Sequence, residues 1–320
     1  MVPVSHRAQL AALAPAARRA LEGLATGWAA ITLTFFALRL SAGDPVASLL
    51  AQGATTPARV EALRHELGLD RPLLVQYAGY LAGFAQGRLG SSLYTGQPVE
   101  SIIGSQFPAT LQLGLASLTF AVVLGLLLGT IGAWSGNTLP GRMAPALSGL
   151  ATSLPVATTG VLALLLFGLA VRSVPRGDPL VAFGRTALPA FVLGYATSGP
   201  FARAIQSGLE GSLRAPFVLA ARARGVRRSL RLLWHALRPA LPPAVSLIAL
   251  EAAFLFSGTV VTETVFSRPG LGRLLVRAIL QGDFPIAQGI VGLAALFYVG
   301  TQVLADLMAL GLDPRIRGAS

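Results

Sequence analysis

The sequence predicts an all-α membrane protein with six transmembrane helices and a small external helical insert between the first and the second. Its 320 residues are 53% hydrophobic and only 12% charged, and the mean hydropathy is +0.67. Soluble domains average about one quarter charged residues, so this chain lacks the charge to cover a water-soluble globule. Intrinsic disorder is excluded as well, because disordered chains are poor in apolar residues.

Six apolar stretches are long enough to cross the hydrocarbon core, which takes about 20 mainly apolar residues in a helix. They cover approximately residues 23–40, 111–134, 146–171, 187–207, 244–262 and 286–310. These runs are much longer than the alternating strands of about 10 residues that build a membrane β-barrel. Each is therefore predicted to be a helix, since only helices and closed barrels satisfy their backbone groups in lipid.

This pattern divides the chain into successive segments. They are a cytoplasmic N-terminal segment (1–22), a first transmembrane helix (23–42), an external helical insert (43–110), a membrane core of five helices (111–312) and a cytoplasmic tail (313–320). A retained first span is favoured over a cleaved signal peptide, because Arg18 and Arg19 precede it and no small-x-small cleavage site follows it.

The distribution of arginine sets the predicted orientation. All 25 basic residues are arginine, and the formal net charge is +12. Residues 209–243 hold seven arginines and the single acid Glu210, whereas residues 43–110 hold four arginines and five acids. Because positive charge accumulates on the cytoplasmic side, we expect the loop 209–243 and both termini to be cytoplasmic. The loop near residues 172–185 is an exception, because it is basic although the orientation of the neighbouring spans places it outside.

The external insert is predicted to contain two helices. Residues 58–70 place the apolar Val60, Leu63 and Leu67 on one helical face. Pro72 breaks this helix, a second amphipathic run follows at 73–84, and a Gly/Ser cluster at 87–92 is typical of a turn.

The composition also excludes several kinds of chemistry. The absence of cysteine excludes disulfides, thiolate metal sites and a cysteine nucleophile, and the absence of lysine excludes a P-loop ATPase. His6, His65 and His235 are scattered, and no HExxH, serine elbow or carboxylate pair occurs. We therefore expect no metal, no cofactor and no catalytic residue, and we assign the arginine excess to topology rather than to nucleic acid.

The cytoplasmic loop 209–243 is the most informative segment. FVLAARARGVRRSL (217–230) predicts a short helix interrupted at Gly225, and Pro239, Pro242 and Pro243 are expected to end a second helix before the fifth span. The loop could be a charged tether that meets anionic lipid headgroups. It could equally be a docking helix, since small side chains allow close approach and arginine binds carboxylates on a partner. The residues alone leave both interpretations open.

Nine short segments, in a fixed order, carry a resemblance to a known family. They are RLSAGDP (39–45), LRHELGLDRPLLVQY (63–77), GRLGSS (87–92), FPATLQLGLA (107–116), AARARG (220–225), HALRPALPPAV (235–245), TETVFSRPGLGRLL (262–275), DFPIAQG (283–289) and LDPRIR (312–317). Together they resemble the permease subunit of dipeptide/oligopeptide/nickel-type ABC importers over residues 23–317.

The resemblance implies a role for the cytoplasmic loop. In that family the loop before the fifth span carries the EAA motif, a coupling helix that sits in a groove of the ATPase. The corresponding small residues of this chain are Ala220, Ala221 and Gly225, and the basic ones are Arg222 and Arg224.

The chain departs from the family pattern at four positions. Pro216 and Phe217 stand where an acid and a tyrosine are common, and Leu219 stands where an arginine is common. The usual Gly-Asp-Leu-Gly is Gly-Arg-Leu-Gly here, with Arg88 in place of the acid.

The resemblance further implies a multi-pass permease of the bacterial inner membrane that is not itself an enzyme. With a second homologous permease it would form the translocation path for peptides or similar small solutes. Two cytoplasmic ABC ATPase subunits would hydrolyse ATP, and an external substrate-binding protein would deliver the cargo. The alternative is a stand-alone secondary transporter or channel, for which we would expect inverted repeats that the sequence does not show.

Glu263 lies at the outer end of the fifth predicted span, within TETVF. We expect it to hold the following turn rather than to make a gating contact. With Pro269, Gly270 and Gly272 it forms the candidate external gate or loop.

Glu251 lies deeper in the fifth predicted span, where a charge is costly and rarely faces lipid. Three interpretations are open: it faces the translocation path, it pairs with Arg203 in the fourth span, or it meets a helix of the second permease.

Small residues and prolines predict features of helix packing. Gly125, Gly129 and Gly132 form a stripe on the second span that would let another helix approach closely. Pro155 and Pro200 are expected to kink the third and fourth spans.

Overall fold

The structure, a computed structural model, describes residues 6–41, 46, 56–66, 68–171 and 178–312, and this part of the chain is nearly all helical. The helices are α1 (His6–Ser41), α2 (Pro57–Glu66), α3 (Leu73–Ala85), α4 (Val99–Ser135), α5 (Leu139–Ser153), α6 (Val156–Ala170), α7 (Pro179–Leu213), α8 (Pro216–Ala223), α9 (Leu237–Val265), α10 (Leu271–Gln281) and α11 (Phe284–Leu312). A helical turn (Arg228–Leu230) and a π-helical segment (Arg231–Ala236) lie between α8 and α9. The described residues form no sheet, only an isolated β-bridge between Ser91 and Pro98.

Three described helices are long and apolar enough to cross a membrane. They are Leu21–Leu40 within α1, Val99–Ser135 (α4) and Phe284–Leu304 within α11. Helices α5 and α6 pass the same criterion only as a pair, and the chain bends by 110° at the break between them. By length and composition the described residues therefore supply three spans, or four with the bent pair, and the count of six stays a prediction.

The third predicted span, residues 146–171, is broken in the structure. Helix α5 ends at Ser153, and α6 begins at Val156. Leu154 between them is extended, with φ −90° and ψ 126°. Pro155 explains the break, because a proline disfavours helical geometry at the residue before it and has no N–H to continue the helix. The expected kink is thus a complete interruption.

The chain divides into two compact units, which are treated separately below. The core unit comprises Met1–Arg18, Leu111–Arg268 and Thr301–Ser320. The insert unit comprises Arg19–Thr110 and Pro269–Gly300. The predicted tail 313–320 and the arginines at 172 and 176 lie outside the described residues.

The core unit is built around α7, which packs against α5, α6 and α9. Its buried cluster joins Phe201, Ile205 and Leu209 of α7 to a second row from the π-helical segment and α9. That second row consists of Leu232, Ala236, Ala240 and Ala244. A spacing of four residues places each row on one side of its helix, so both rows face the shared core.

The prolines of the loop 209–243 do not end a helix, contrary to the sequence prediction. Pro239, Pro242 and Pro243 lie within the continuous α9. Pro239 lies three residues after the π-helical segment, which runs into α9 without a break. Just before it, the Leu237 N–H bonds the Leu232 carbonyl in the wide π-helical turn. Such wide turns accommodate residues that interrupt the regular α-helical ladder.

The glycine stripe on α4 brings this helix close to α7. A Cβ atom added at Gly125 would lie 2.3 Å from Phe201 Cδ1, and one at Gly129 would lie 2.5 Å from the Ala202 carbonyl oxygen. At Gly132 the nearest atom would be Gln206 Cδ at 2.8 Å. A side chain would clash with the Phe201 ring at Gly125 and with the α7 backbone at Gly129, so the predicted packing role of the stripe is confirmed at these two positions. At Gly132 the nearest atoms are the end of the flexible Gln206 side chain, which can move aside.

The insert unit contains the two helices predicted for residues 43–110. Helix α2 is followed by Gly68 with φ +64°, and α3 begins directly after Pro72. Val60 is buried with Val46, whereas the side chains at 63 and 67, predicted to share its face, lie outside the described residues. The Gly/Ser turn follows α3, with Gly87 at φ +72° and Gly90 at φ +84°.

Aromatic side chains hold α3 against α1 in the insert unit. The Phe35 ring lies 5.4 Å from that of Tyr77 and 5.5 Å from that of Tyr80, measured between centroids. Thr32 Oγ1 and the Tyr77 hydroxyl are 2.6 Å apart and share a hydrogen bond. Burial, with a smaller effect of Tyr77, raises the pKa of Tyr80 to about 12, so its phenol stays protonated.

Candidate functional site

The loop 209–243, which is predicted to be cytoplasmic, contains a short helix, α8, with two different faces. Pro216 occupies its first turn, where the fixed φ of proline suits a helix start. Val218 and Ala221, three residues apart, are buried and anchor one face. Helix α8 contacts the π-helical segment and α7, so it is tied to the packed core of its unit.

Helix α8 ends in a Schellman motif built on Gly225. The Val226 N–H bonds the Ala221 carbonyl at 3.1 Å, and the Gly225 N–H bonds the Arg222 carbonyl at 3.0 Å. Gly225 has φ +76°, a left-handed conformation that glycine adopts at little cost. The helix break predicted at Gly225 is therefore present, and it gives α8 a defined end.

The opposite face of α8 is exposed. Phe217 and Leu219 are 49% and 51% exposed, and Ala220, Arg222 and Arg224 are also exposed. A face that combines apolar side chains with arginine is typical of a protein docking surface.

A cavity of about 380 Å³ lies beside α8. It is lined by Leu213, Val218, Leu219, Arg222, Arg228 and Arg231. Arg228 is positioned by Trp134, whose carbonyl accepts a 2.6 Å hydrogen bond from Nη2 and whose ring centroid lies 5.2 Å below the guanidinium carbon. Three arginines and no acid line this cavity among the described residues, so it suits a carboxylate from a partner.

Glu263 is completely buried near the end of α9 in the core unit. Its carbonyl accepts a 2.9 Å hydrogen bond from the Arg268 N–H, which closes the turn after α9. Within this turn Ser267 has φ +50°, and Arg268 Nη2 donates to Gln112 Oε1 at 3.1 Å.

The other residues of the predicted external loop belong to the insert unit. Pro269 is exposed, whereas Gly270 and Gly272 are buried at the start of α10. The Leu271 N–H donates a 2.7 Å hydrogen bond to Thr110 Oγ1, and this bond ties the start of α10 to α4. A cavity of about 210 Å³ lies beside Pro269 and Gly270.

Glu251 is half-buried on α9. Of its three interpretations, pairing with Arg203 is not present among the described ion pairs, and Arg203 Nη1 instead donates to Thr152 Oγ1 at 2.9 Å. Helices α5 and α7 are therefore joined by this bond, and Glu251 is left with its two other interpretations.

Asp283 is a structural site that the sequence analysis did not single out. It is 2% exposed, precedes α11 and accepts hydrogen bonds from Ser92 Oγ at 2.5 Å and the Leu93 N–H at 3.3 Å. Backbone hydrogen bonds from Tyr94 and Ile286 add to these. The signal was available in DFPIAQG, because an aspartate followed closely by proline is a helix-start pattern.

Burial raises the pKa of the Asp283 carboxyl, and the hydrogen bonds from Ser92, Leu93, Ile286 and Tyr94 oppose this effect. Within the described part of the chain, no group of three or more histidine, aspartate or glutamate side chains is placed to hold a metal ion.

Comparison with known families and proteins gives consistent matches. The family model described as binding-protein-dependent transport system inner membrane component matches residues 121–318, and the model for the N-terminal part of such membrane components matches residues 17–114. A glutathione transport system permease protein of Pectobacterium atrosepticum is 34% identical over 90% of this chain and 93% of its own length. A di/tripeptide transport system permease protein of Pseudomonas aeruginosa is 34% identical over 89% and 93%, respectively.

Two further matches extend the comparison. A dipeptide transport system permease protein of Lactococcus lactis is 34% identical over 90% of this chain and 93% of its own length. Among solved structures, a chain of an amino acid ABC transporter superposes with a TM-score of 0.53 at 16% identity, over 66% of this chain and 94% of the other. At that identity the structural match shows a shared fold.

Proposed function

The chain belongs to the family of binding-protein-dependent transport system inner membrane components, and from this membership we propose how its described parts work. It is a permease subunit of an ABC importer and a multi-pass protein of the inner membrane. This membership sets aside a stand-alone secondary transporter or channel.

Helix α8 is the coupling helix that docks on a cytoplasmic ATPase. The observation that carries this proposal is its two-faced character: Val218 and Ala221 are buried, whereas Phe217, Leu219 and Arg222 are exposed. The inner face transmits movement to the core unit, and the outer face enters a groove of the partner.

The five residues of this chain that correspond to the EAA motif have different roles in docking. The small side chains of Ala220 and Ala221 let α8 approach both the partner and the core closely. Arg222 and Arg224 supply charge for carboxylates of the ATPase. Gly225 ends the helix in a fixed geometry.

Movement of α8 would reach the membrane helices through one continuous connection. The chain passes from α8 through the π-helical segment into α9, and the row of Leu232, Ala236, Ala240 and Ala244 packs on α7. ATP-driven closure of the ATPase dimer would push α8 and shift α9 and α7 together, because packed cores move as units rather than deform.

The complete importer contains further components. This permease pairs with a second homologous permease, two ABC ATPase subunits bind from the cytoplasm, and an external substrate-binding protein delivers the solute. The names of the relatives suggest peptides, including glutathione, as cargo.

We assign six spans with both termini in the cytoplasm. Helices α7 and α9 and the bent α5–α6 pair complete the three spans identified by length and composition. Residues 43–110 then form the external insert, with Glu263, Pro269, Gly270 and Gly272 in an external loop. Glu251 faces the translocation path or a helix of the second permease.

The experiment that tests α8 is an Arg222→Glu/Arg224→Glu variant, purified through a tag on this chain. Reversing both charges should abolish ATPase co-purification and solute uptake, while the chain still inserts into the membrane. Arg142→Glu is the matched control, since Arg142 is also exposed but lies on α5. Normal uptake and normal ATPase recovery in the double variant would refute the coupling assignment.

A further inference from the structure

The insert unit contains a cavity of about 300 Å³ that the proposed coupling mechanism does not use. Its walls come from the end of α1, the turn before α3, α3 itself, the turn after α3 and the start of α11. A cavity of this size is at the small end of ligand sites, so it suits a headgroup or another small polar group.

Two apolar spans end at this cavity. Phe35 and Arg39 line it near the end of Leu21–Leu40, and Phe284 and Pro285 line it at the start of Phe284–Leu304. Because both spans are apolar along their length and stop here, the cavity lies where the hydrocarbon core gives way to lipid headgroups.

All the charged residues among the described lining of the cavity are basic. Arg39, Arg71 and Arg88 line it, and none of the described lining residues is acidic. The Arg39 guanidinium lies 5.2 Å from the Phe35 ring centroid, whereas Arg71 and Arg88 are exposed. A cleft with one sign of charge attracts anions, and the planar guanidinium matches phosphate in particular.

Two glutamines also belong to the cavity wall, Gln76 and Gln288. Gln76 Nε2 donates to the Leu69 and Arg71 carbonyls at 3.1 and 2.8 Å, which holds the turn before α3 against the helix. Gln76 Oε1 and Gln288 Nε2 are fully buried. The arginines are therefore the charged groups that the cavity offers to a ligand.

An exposed apolar surface adjoins the basic cavity. Helix α3 has 13 residues and no charge, which is too short to cross a bilayer. Its residues Leu73, Leu74 and Val75 are 43%, 73% and 49% exposed, and Val75 also lines the cavity. A short apolar helix at headgroup level is suited to lie against acyl chains.

We propose that this cavity binds the phosphate headgroup of an anionic membrane phospholipid. The phosphate oxygens accept hydrogen bonds from the arginines, and the acyl chains lie along Leu73 and Leu74. A small soluble anion would leave these apolar side chains uncovered, which is why a lipid headgroup is the better match.

The test uses the full chain, purified in mild detergent with the subunits that accompany it and examined by native mass spectrometry. The probes are phosphatidylglycerol, phosphatidylcholine with the same acyl chains, and soluble glycerol 3-phosphate. We expect selective retention of phosphatidylglycerol by the natural chain, and glycerol 3-phosphate at equal concentration should not displace it. Equal retention of both lipids, or displacement by the soluble anion, would overturn the proposal.

An Arg71→Gln/Arg88→Gln variant tests the location of the site. Each charge near an anionic lipid contributes about 1 kcal/mol, so removing two should weaken phosphatidylglycerol binding about 25-fold. The matched control is Arg64→Gln/Arg277→Gln, which removes two charges from the same unit but not from the cavity. Equal binding by the cavity variant and the control contradicts the assignment.

A single substitution provides a second variant that should fold. Arg88 stands where the resembled family has an aspartate, so Arg88→Asp restores a residue that this fold accommodates. It should remove the preference for phosphatidylglycerol over phosphatidylcholine, because a carboxylate repels phosphate. An unchanged preference would place the lipid elsewhere.

Discussion

Ser92 Oγ donates a 2.5 Å hydrogen bond to Asp283 Oδ2, which joins the turn after α3 to the start of α11 across 191 residues of sequence. The same carboxylate bonds the Leu93 N–H, and the Tyr94 hydroxyl donates to the Gln281 carbonyl close by. Two distant segments of the insert unit are therefore held together at one buried acid.

The stability of the insert unit should depend on pH through Asp283. Burial raises the pKa of this carboxyl above its ordinary value of 3.8, so the folded chain retains the proton to higher pH than the unfolded chain. The contribution of the Asp283 carboxyl to the free energy of unfolding is therefore full below pH 3.8. It is lost as the pH rises through the raised pKa. Asp283→Asn should remove this decline while the amide still caps α11. The measurement is the thermal unfolding midpoint as a function of pH.

Asp70→Asn is the control for this pH dependence. A hydrogen bond with His65 is the main cause that lowers the pKa of Asp70. The contribution of Asp70 to stability therefore depends on pH in the opposite direction and is lost as the pH falls. The Asp70 variant should therefore keep the decline caused by Asp283. Parallel profiles for the natural chain and Asp283→Asn would contradict the assignment.

The positions of the longest apolar helices could be predicted, because a long apolar run can be read directly from the sequence. Residues 111–134 lie within α4, and residues 286–310 lie within α11. The sequence predicts only a kink at Pro155, whereas the structure has two separate helices there. The angle between α5 and α6 depends on the residues that each helix packs against, which the local sequence does not specify. The passage of the chain into α9 before Pro239 could not be predicted, because the π-helical turn there has no sequence signature. The helix also continues through Pro242 and Pro243, contrary to the prediction.

For the candidate sites too, features set by the local sequence could be predicted, whereas contacts between distant segments could not. The end of α8 was predictable, because a glycine after a short helix is a local pattern. The bond between Ser92 and Asp283 was not, since nothing in either segment specifies the other. Pairing with Arg203 is one of three interpretations of Glu251 that charge alone leaves open, but Arg203 bonds Thr152 instead.

Gly225→Ala should weaken coupling to the ATPase. Gly225 has φ +76°, and a Cβ added there would meet nothing within 4 Å, so the cost is backbone strain rather than a clash. That strain is about 1–2 kcal/mol for a non-glycine residue and would disturb the end of α8. We expect less ATPase to co-purify with the variant and slower solute uptake.

Gly225→Asn is the matched control, because asparagine adopts the left-handed conformation more readily than alanine. It should retain more ATPase and more uptake than Gly225→Ala. If both variants match the natural chain, the Schellman end of α8 is not required for coupling.

Gly129→Ala should separate α4 from α7 and destabilise the core unit. The new Cβ would lie 2.5 Å from the Ala202 carbonyl oxygen and 2.8 Å from Ile205 Cβ, so α7 or α4 must shift. Overpacking of this kind costs about 1–3 kcal/mol, measurable as unfolding of the purified chain in a denaturing detergent. Gly114→Ala on the same helix is the control, because its Cβ would meet nothing within 4 Å. Alanine favours a helix over glycine by about 1 kcal/mol, so the control should be neutral or more stable. A similar loss of stability in both variants would mean that the stripe tolerates side chains and that α4 and α7 are not held by close approach.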